Sequence, residues 1–252
     1  MKDEGIEVEG GLRTKAEQEV RRELAEAFLR CPDDVETKLE NFPKYVRRQN
    51  LTRFLAQYEL YKRILNVKGS IIERGVFRGG GIMAWAKLGA ILEPVNLTRR
   101  IYGFDAFEAF PATHHKDRAS SSKTRVGDLR SDSLEELNEL VRIYDKNRYL
   151  SHIGKVKLIK GNATETIPRF VQENKHLVVS LLFLDFDLYE PTKVAIESFL
   201  PRMPKGAIVA FDELDNPIWP GETLAALETV GINRLRLERF EFDSYIGYAA
   251  ID

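Results

Sequence analysis

Cysteine is almost absent from this sequence: Cys31 is the only one in 252 residues. A single thiol excludes an internal disulfide and any thiolate-rich zinc or iron–sulfur site, so a bound metal must use oxygen or histidine ligands. An excess of either charge is missing too. With 38 Lys and Arg against 39 Asp and Glu, nothing draws the chain electrostatically to nucleic acid or to an anionic membrane, and a small-molecule partner is expected instead. No apolar run is long enough to cross a bilayer, and the charged stretch from Met1 to Arg22 lacks the apolar centre of a secretory signal. The expected location is therefore the cytoplasm. The 43% of apolar residues is enough to build an ordinary globular core.

Two amphipathic segments come first. Val20, Leu24, Ala27 and Phe28 form one helical stripe within residues 12–30, closed by Pro32, and Leu51, Phe54, Leu55, Tyr58, Tyr61, Ile64 and Leu65 form another within 51–65. Their apolar faces need cover, so residues 1–68 are expected to act as a helical lid or oligomerisation segment of a homo-oligomer. From residue 70 onwards short apolar runs alternate with helical stretches, the pattern of a parallel sheet covered on both faces. Strands are expected at residues 70–74, 100–105, 155–160, 178–186, 207–212, 235–241 and 246–251. Helices are expected at 81–92, 133–149, 164–173, 191–203 and 222–230, with Asp132 and Glu135 as a capping box for the second. Only four residues join the last two strands, too few for a parallel crossover, so they must pair as an antiparallel hairpin. The fold class is thus Rossmann-like α/β: a seven-stranded, mostly parallel sheet with an antiparallel carboxy-terminal hairpin, spanning 69–252, plus amino-terminal helices. Residues 106–130 lack periodicity and read as a long surface loop, on which His114 and His115 are expected to be simply exposed. Arg118, Lys123 and Arg125 on the same loop could hold a diphosphate when the loop closes, though a charge run on a loop is usually solvated.

Three constellations carry chemistry. A buried strand runs through Glu73 and Arg74 into Gly75-Val76-Phe77-Arg78-Gly79-Gly80-Gly81 and then a helix, a turn at which backbone N–H groups can approach a ligand closely. Its spacing is Gly-x-x-x-Gly-Gly-Gly rather than the Gly-x-Gly-x-x-Gly of dinucleotide folds. The next strand ends in Asp105, where Rossmann-like folds grip ribose hydroxyls. Finally, Leu181-Leu182-Phe183-Leu184 ends in Asp185-Phe186-Asp187, and the following strand ends in Asp212-Glu213. So many carboxylates at neighbouring strand ends repel unless a cation neutralises them, and oxygen ligands suit magnesium, manganese or calcium. Solvated strand ends remain the alternative. Trp219, between Pro217 and Pro220, either lines an acceptor pocket or merely packs.

At these residues the sequence resembles the macrocin O-methyltransferase family of natural-product sugar methyltransferases. The matching pieces are Glu73-Arg74-Gly75-Val76-Phe77-Arg78-Gly79-Gly80, Phe104-Asp105-Ala106-Phe107-Glu108-Ala109-Phe110-Pro111, Leu184-Asp185-Phe186-Asp187-Leu188-Tyr189-Glu190-Pro191-Thr192 and Phe211-Asp212-Glu213. The segment from Asp212 to Glu222 looks like the branch acting on nucleotide-linked 6-deoxyhexoses. The resemblance implies a class I methyltransferase fold and an O-methyltransferase that uses S-adenosylmethionine and magnesium to methylate a deoxysugar, at the 3-hydroxyl of a nucleotide-linked 6-deoxyhexose. It also implies that Glu73, Gly75, Phe77, Arg78, Gly79 and Gly80 hold the methionine end of S-adenosylmethionine, that Asp105 binds its ribose, and that Gly161, Asn162 and Ala163 flank the adenine, with Asp185 completing the donor site. Asp185, Asp212 and Glu213 are the implied metal ligands, Glu213 standing where the family usually has a second aspartate.

A sugar hydroxyl is a poor nucleophile at neutral pH, whereas a sulfonium methyl is already activated. Asp187 is the expected general base, with Asp185 as second choice. A catechol-type phenolic acceptor would use the same geometry. A nicotinamide-dependent oxidoreductase or a non-catalytic nucleotide-binding module would share the glycine turn and Asp105, but neither needs the acids at two strand ends.

Overall fold

The computed structural model describes residues 15–108, 114–117, 132–186, 188–217, 219–243 and 245–252. They divide into two compact units, Met1–Leu55 and Ala56–Asp252. In the smaller unit α1 spans Lys15–Arg30 and α2 Val35–Glu40, and α3, Arg48–Arg63, contains the boundary. Asp34 starts α2 by accepting the Thr37 N–H at 2.7 Å. The Phe28 ring meets Tyr45 edge-on at 5.0 Å and carries the Lys38 ammonium at 4.9 Å. Leu29, Val35, Leu39 and Phe42 are nonetheless exposed. The second half of α3, read from sequence as part of the amino-terminal segment, belongs to the larger unit, where Leu60, Tyr61 and Ile64 are core residues.

The larger unit is built on strands β1 (Ser70–Arg74), β2 (Ile101–Asp105), β3 (Val156–Lys160), β4 (Val179–Leu184), β5 (Ile208–Phe211), β6 (Glu238–Arg239) and β7 (Gly247–Ala250). They form one sheet in the order β3-β2-β1-β4-β5-β7-β6. The first five are parallel, and β7 runs antiparallel to both β5 and β6, as the short final connection requires. This is the Rossmann-like methyltransferase arrangement expected. Side chains alternate across the sheet: Ile71, Leu181, Phe183 and Ile208 join one core with Trp85 of α4 (Gly80–Leu92) and Leu137 and Tyr144 of α5 (Leu134–Lys146). Ile72, Phe104, Leu182, Val209 and Phe211 join the other core, with α6 (Ala163–Glu173), α7 (Tyr189–Phe199) and α8 (Pro220–Thr229). Because β4 is covered on both faces, all six of its residues are buried.

Several boundaries differ from the sequence reading. Helix α7 starts at Tyr189 rather than 191, because Pro191 falls in the first turn, where a proline leaves no helical hydrogen bond unmade. Ser133, not Asp132, stands at the N-cap of α5, and its hydroxyl donates to Phe77 O at 2.6 Å instead of capping the helix. The strand expected at 235–241 pairs only at Glu238 and Arg239, a short sheet edge that offers little template for unwanted pairing. Among the described residues no helix is long and apolar enough to cross a membrane.

A buried polar cluster ties α3 to the amino ends of the strands. Arg99, 6% exposed, donates to Glu93 Oε2 at 2.6 Å, to the carbonyls of Ile64, Val67 and Gly69, and to Ser180 Oγ. Tyr61 donates to the same Glu93 oxygen at 2.9 Å, and burial together with that carboxylate pushes its hydroxyl above the ordinary value, so it remains a donor. Arg99→Ala removes a donor from all of these acceptors and the positive partner of the largely buried Glu93 carboxylate. Urea unfolding should show a loss of about 3–5 kcal/mol, and a loss below about 1 kcal/mol would show the cluster to be dispensable.

Candidate active site

Strand β1 leaves the sheet through Gly75, whose φ of +85° lies in the left-handed region. A Cβ there would stand 1.7 Å from the Asp185 carbonyl oxygen, so only glycine lets β1 and β4 exit this close together. The turn continues to Phe77, which also has a positive φ (+50°), unusual for an aromatic residue. Two contacts hold it there: its N–H donates to Asp105 Oδ2 at 2.8 Å, and its carbonyl accepts the Ser133 hydroxyl. Phe77 and Arg78 are exposed. Gly79 (φ +83°) packs against Leu137, where a Cβ would come within 2.0 Å of the side chain. At Gly80, the first residue of α4, a Cβ would meet nothing within 4 Å, so the backbone faces open space. Glu73, 2% exposed, lies under this helix start, its Oε1 2.5 Å from where a Gly81 Cβ would be. That position suits a carboxylate, since the amino end of a helix carries partial positive charge.

Asp105 ends β2 and braces two turns at once. Its Oδ2 accepts from Phe77 as described, and its Oδ1 accepts the N–H of Phe107, another left-handed residue, at 2.6 Å. Each oxygen retains a further acceptor position for a ligand hydroxyl. The Asp105 carbonyl accepts the Gly161 N–H at 3.0 Å, bringing the end of β3 alongside. Asn162 then caps α6 by accepting from Thr164 N at 3.2 Å, and Ala163 is buried in its first turn. The sequence-predicted donor residues Glu73, Gly75, Phe77, Gly79, Gly80, Asp105, Gly161, Asn162 and Ala163 are thus gathered at the carboxyl ends of β1, β2 and β3.

The acids are divided. Leu184 of β4 pairs with Phe211 of β5, and Asp212 N–H donates to Leu184 O at 3.0 Å, so Asp185 and Asp212 emerge next to one another. Carboxylate oxygens are the donor chemistry a hard divalent cation takes. Glu213 is held differently: its N–H donates to Glu222 Oε1 at 2.9 Å, and its own carboxylate accepts from Asn216 Nδ2. Among the described residues no three His, Cys, Asp or Glu side chains are grouped for a metal ion. Asp187 lies outside the described residues, as do Arg118, Lys123 and Arg125. Trp219 is half-buried at the N-cap of α8.

Several residues with a role in this region have no signal in the sequence reading. Arg74 is fully buried between aromatic rings, its guanidinium 4.0 Å from the centre of Phe186 and 5.4 Å from that of Phe104. None of its nitrogens has a hydrogen-bond partner among the described residues. Burial pushes its pKa down, against the pull of the Asp105 charge. Strand alternation, which puts Arg74 on the same face as Ile72, was the available clue. Glu222, fully buried, fixes the turn after β5. His114, expected to be simply exposed, is half-buried with its ring stacked on Tyr189 at 4.9 Å, while His115 is exposed as expected.

The two glycines flanking the turn should respond oppositely to one methyl group. Gly75→Ala combines a left-handed backbone with a clash against main chain and should cost more than about 2 kcal/mol, whereas Gly80→Ala should leave stability within about 0.5 kcal/mol or raise it slightly. Equal denaturation midpoints for the two variants would contradict the close exit of β1 and β4.

Comparison with known proteins shows the family and the fold. The macrocin O-methyltransferase (TylF) family model matches residues 32–237. The structure of the calicheamicin methyltransferase CalS11 superposes with a TM-score of 0.90 at 34% identity, over 94% of this chain and 93% of that one. A further, apo structure, of CalS11 as the TDP-rhamnose 3'-O-methyltransferase of calicheamicin biosynthesis, gives 0.82 at 33% identity, over 94% and 95%. The O-methyltransferase NovP shares the fold, with a TM-score of 0.62 at 22% identity over 79% of each chain. A Streptomyces olivaceus protein, the 8-demethyl-8-(2,3-dimethoxy-alpha-L-rhamnosyl)-tetracenomycin-C 4'-O-methyltransferase, is 26% identical over 148 residues, 58% of this chain. That match spans about half of the relative's length, 53%. With the family model covering most of the chain and the fold matching along nearly all of it, this protein belongs to the macrocin O-methyltransferase family.

Proposed function

We propose that the protein transfers the methyl group of S-adenosylmethionine to a deoxysugar hydroxyl, the 3-hydroxyl of a nucleotide-linked 6-deoxyhexose, in natural-product biosynthesis. The observation that carries this reading is the contact of Gly75 with the Asp185 carbonyl, which sets a ligand-facing glycine turn beside an acidic strand end. The similarity to CalS11, named as a TDP-rhamnose 3'-O-methyltransferase, supports the choice of acceptor.

In this reading the methionine end lies at the turn formed by Gly75, Phe77, Arg78, Gly79 and Gly80, with Glu73 facing its ammonium. The remaining lone pairs of Asp105 accept the ribose hydroxyls, and Gly161, Asn162 and Ala163 flank the adenine. Asp185 lies between donor and acceptor. Asp185 and Asp212 with Glu213 would hold magnesium or another hard divalent cation, which would supply acidification of the sugar hydroxyl. Asp187 takes the hydroxyl proton, with Asp185 as the second choice. The sugar oxygen then forms its bond to the methyl carbon as the carbon–sulfur bond breaks, and sulfur keeps the electron pair as S-adenosylhomocysteine. Holding oxygen, carbon and sulfur in line is the larger part of the work, because the methyl group needs no activation. The amino-terminal unit up to Leu55 is proposed as a lid or subunit interface of a cytoplasmic homo-oligomer, which would cover the exposed Leu29, Val35, Leu39 and Phe42.

Asp185→Asn should lower kcat with TDP-rhamnose by about 100-fold or more while S-adenosylhomocysteine affinity, read by calorimetry, stays within a few-fold. Excess chelator should silence the wild-type enzyme. Full activity in the variant or in chelator would refute the roles given to the acids and the cation.

A further inference from the structure

Helix α7 begins directly after the acidic end of β4, and its N-cap residue Leu188 has no side-chain oxygen to offer the first-turn N–H groups. An acceptor comes from elsewhere in the chain. Asp117, 72 residues earlier, accepts the Tyr189 N–H on Oδ1 at 2.6 Å and the His114 N–H on Oδ2 at 2.5 Å, with its residue only 1% exposed. The first bond caps α7 and the second closes the short turn that carries Asp117 itself.

Its neighbours fasten the same turn to α7 and α8. Lys116 Nζ lies 2.6 Å from both carboxylate oxygens of Glu228 and 4.2 Å from the centre of the Tyr189 ring. Tyr189 completes the triangle by donating its hydroxyl to Glu228 Oε2 at 2.6 Å, and His114 stacks on the ring's face at an interplanar angle of 26°. The Lys116 ammonium holds the Glu228 carboxyl below its usual range, and Glu228 in turn raises the lysine, so both stay charged through neutral pH. At the other end of α7's first turn, the Thr192 hydroxyl donates to Leu188 O at 2.7 Å. The peptide joining Leu188 to Tyr189 is therefore held at both its carbonyl and its N–H.

We propose that Asp117 is a positioning residue for methyl transfer: by capping α7 from the β2–α5 connection, it fixes the Leu188–Tyr189 peptide, the anchor that follows the acidic end of β4 along the chain. The connection that supplies Asp117 begins at Asp105, the ribose acid, so one stretch of chain touches the donor side through Asp105 and the acceptor side through Asp117. A carboxylate is needed because both bonds are accepted from backbone N–H groups. An amide keeps one acceptor and turns a donor towards the second N–H, so Asp117→Asn breaks the cap with almost no change in volume.

This inference rests on the function proposed above, and its test has one readout that needs no turnover. Hydrogen exchange should show the peptide carrying Leu188–Thr192 exchanging at least about tenfold faster in Asp117→Asn, with S-adenosylhomocysteine affinity within about twofold of wild type. With TDP-rhamnose as acceptor, kcat should fall by at least about tenfold while KM for S-adenosylmethionine stays constant. Glu228→Gln, which loosens only the outer contact, should give a smaller fall in the same direction. Unchanged exchange, unchanged kcat in an active enzyme, or loss of S-adenosylhomocysteine binding in Asp117→Asn would overturn the positioning role, the last by showing that the residue serves general stability. A wild-type protein inactive towards sugars would refute the function alone, and the exchange result would still decide whether Asp117 caps α7.

Discussion

The close exit of β1 and β4 is the constraint on which the rest of the site depends. Parallel pairing brings Arg74 opposite Leu184, and one residue later the two backbones are so near that Gly75 has no room for a side chain. A wider exit would separate the glycine turn from the acids. Because β4 also pairs with β5, the same register carries Asp212 to the place beside Asp185. Hydrogen-bonded ladders thus align three strand ends, and the chemistry-bearing residues need only follow the strands.

Asp105 adds the second constraint. A turn with left-handed residues at Phe77 and Phe107 is unfavourable by itself, and non-glycine residues keep such backbone only when the surroundings hold them. One carboxylate does so for both by accepting their N–H groups. Asp105 therefore has a structural duty apart from any ligand, and its carboxylate is already oriented by two backbone N–H groups. Pre-organisation of this kind lowers the ordering cost of binding.

Much of the fold was legible in the sequence, because it rests on local patterns. The uniform apolar run of β4, the glycines after β1 and the four-residue final connection report burial, a tight turn and a hairpin, each set by neighbouring residues. The placement of Glu73, Gly75 and Asp105 at or just after neighbouring strand ends was legible for the same reason, since the order of those ends follows from the alternation of strands and helices. Other features depend on side chains meeting across long separations, which periodicity cannot show. Asp117 reaching Tyr189, Ser133 reaching Phe77, and Glu222 reaching Glu213 belong to this class. Glu213 is instructive: its position after β5 is set by the strand, whereas the contact of Asn216, only three residues on, with its carboxylate depends on the local turn. Strand ends can be read from sequence more readily than the directions in which their acids point.

The most direct measurement is a crystal structure with S-adenosylhomocysteine and manganese, using the metal's anomalous scattering. The expected result places the nucleoside along the glycine turn with its ribose hydroxyls on Asp105, the sulfur facing the end of β4, and an anomalous peak bonded to both Asp185 and Asp212. A nucleoside bound away from Gly75–Gly80, or manganese bound elsewhere, would contradict a single site built on the joined ends of β1, β4 and β5.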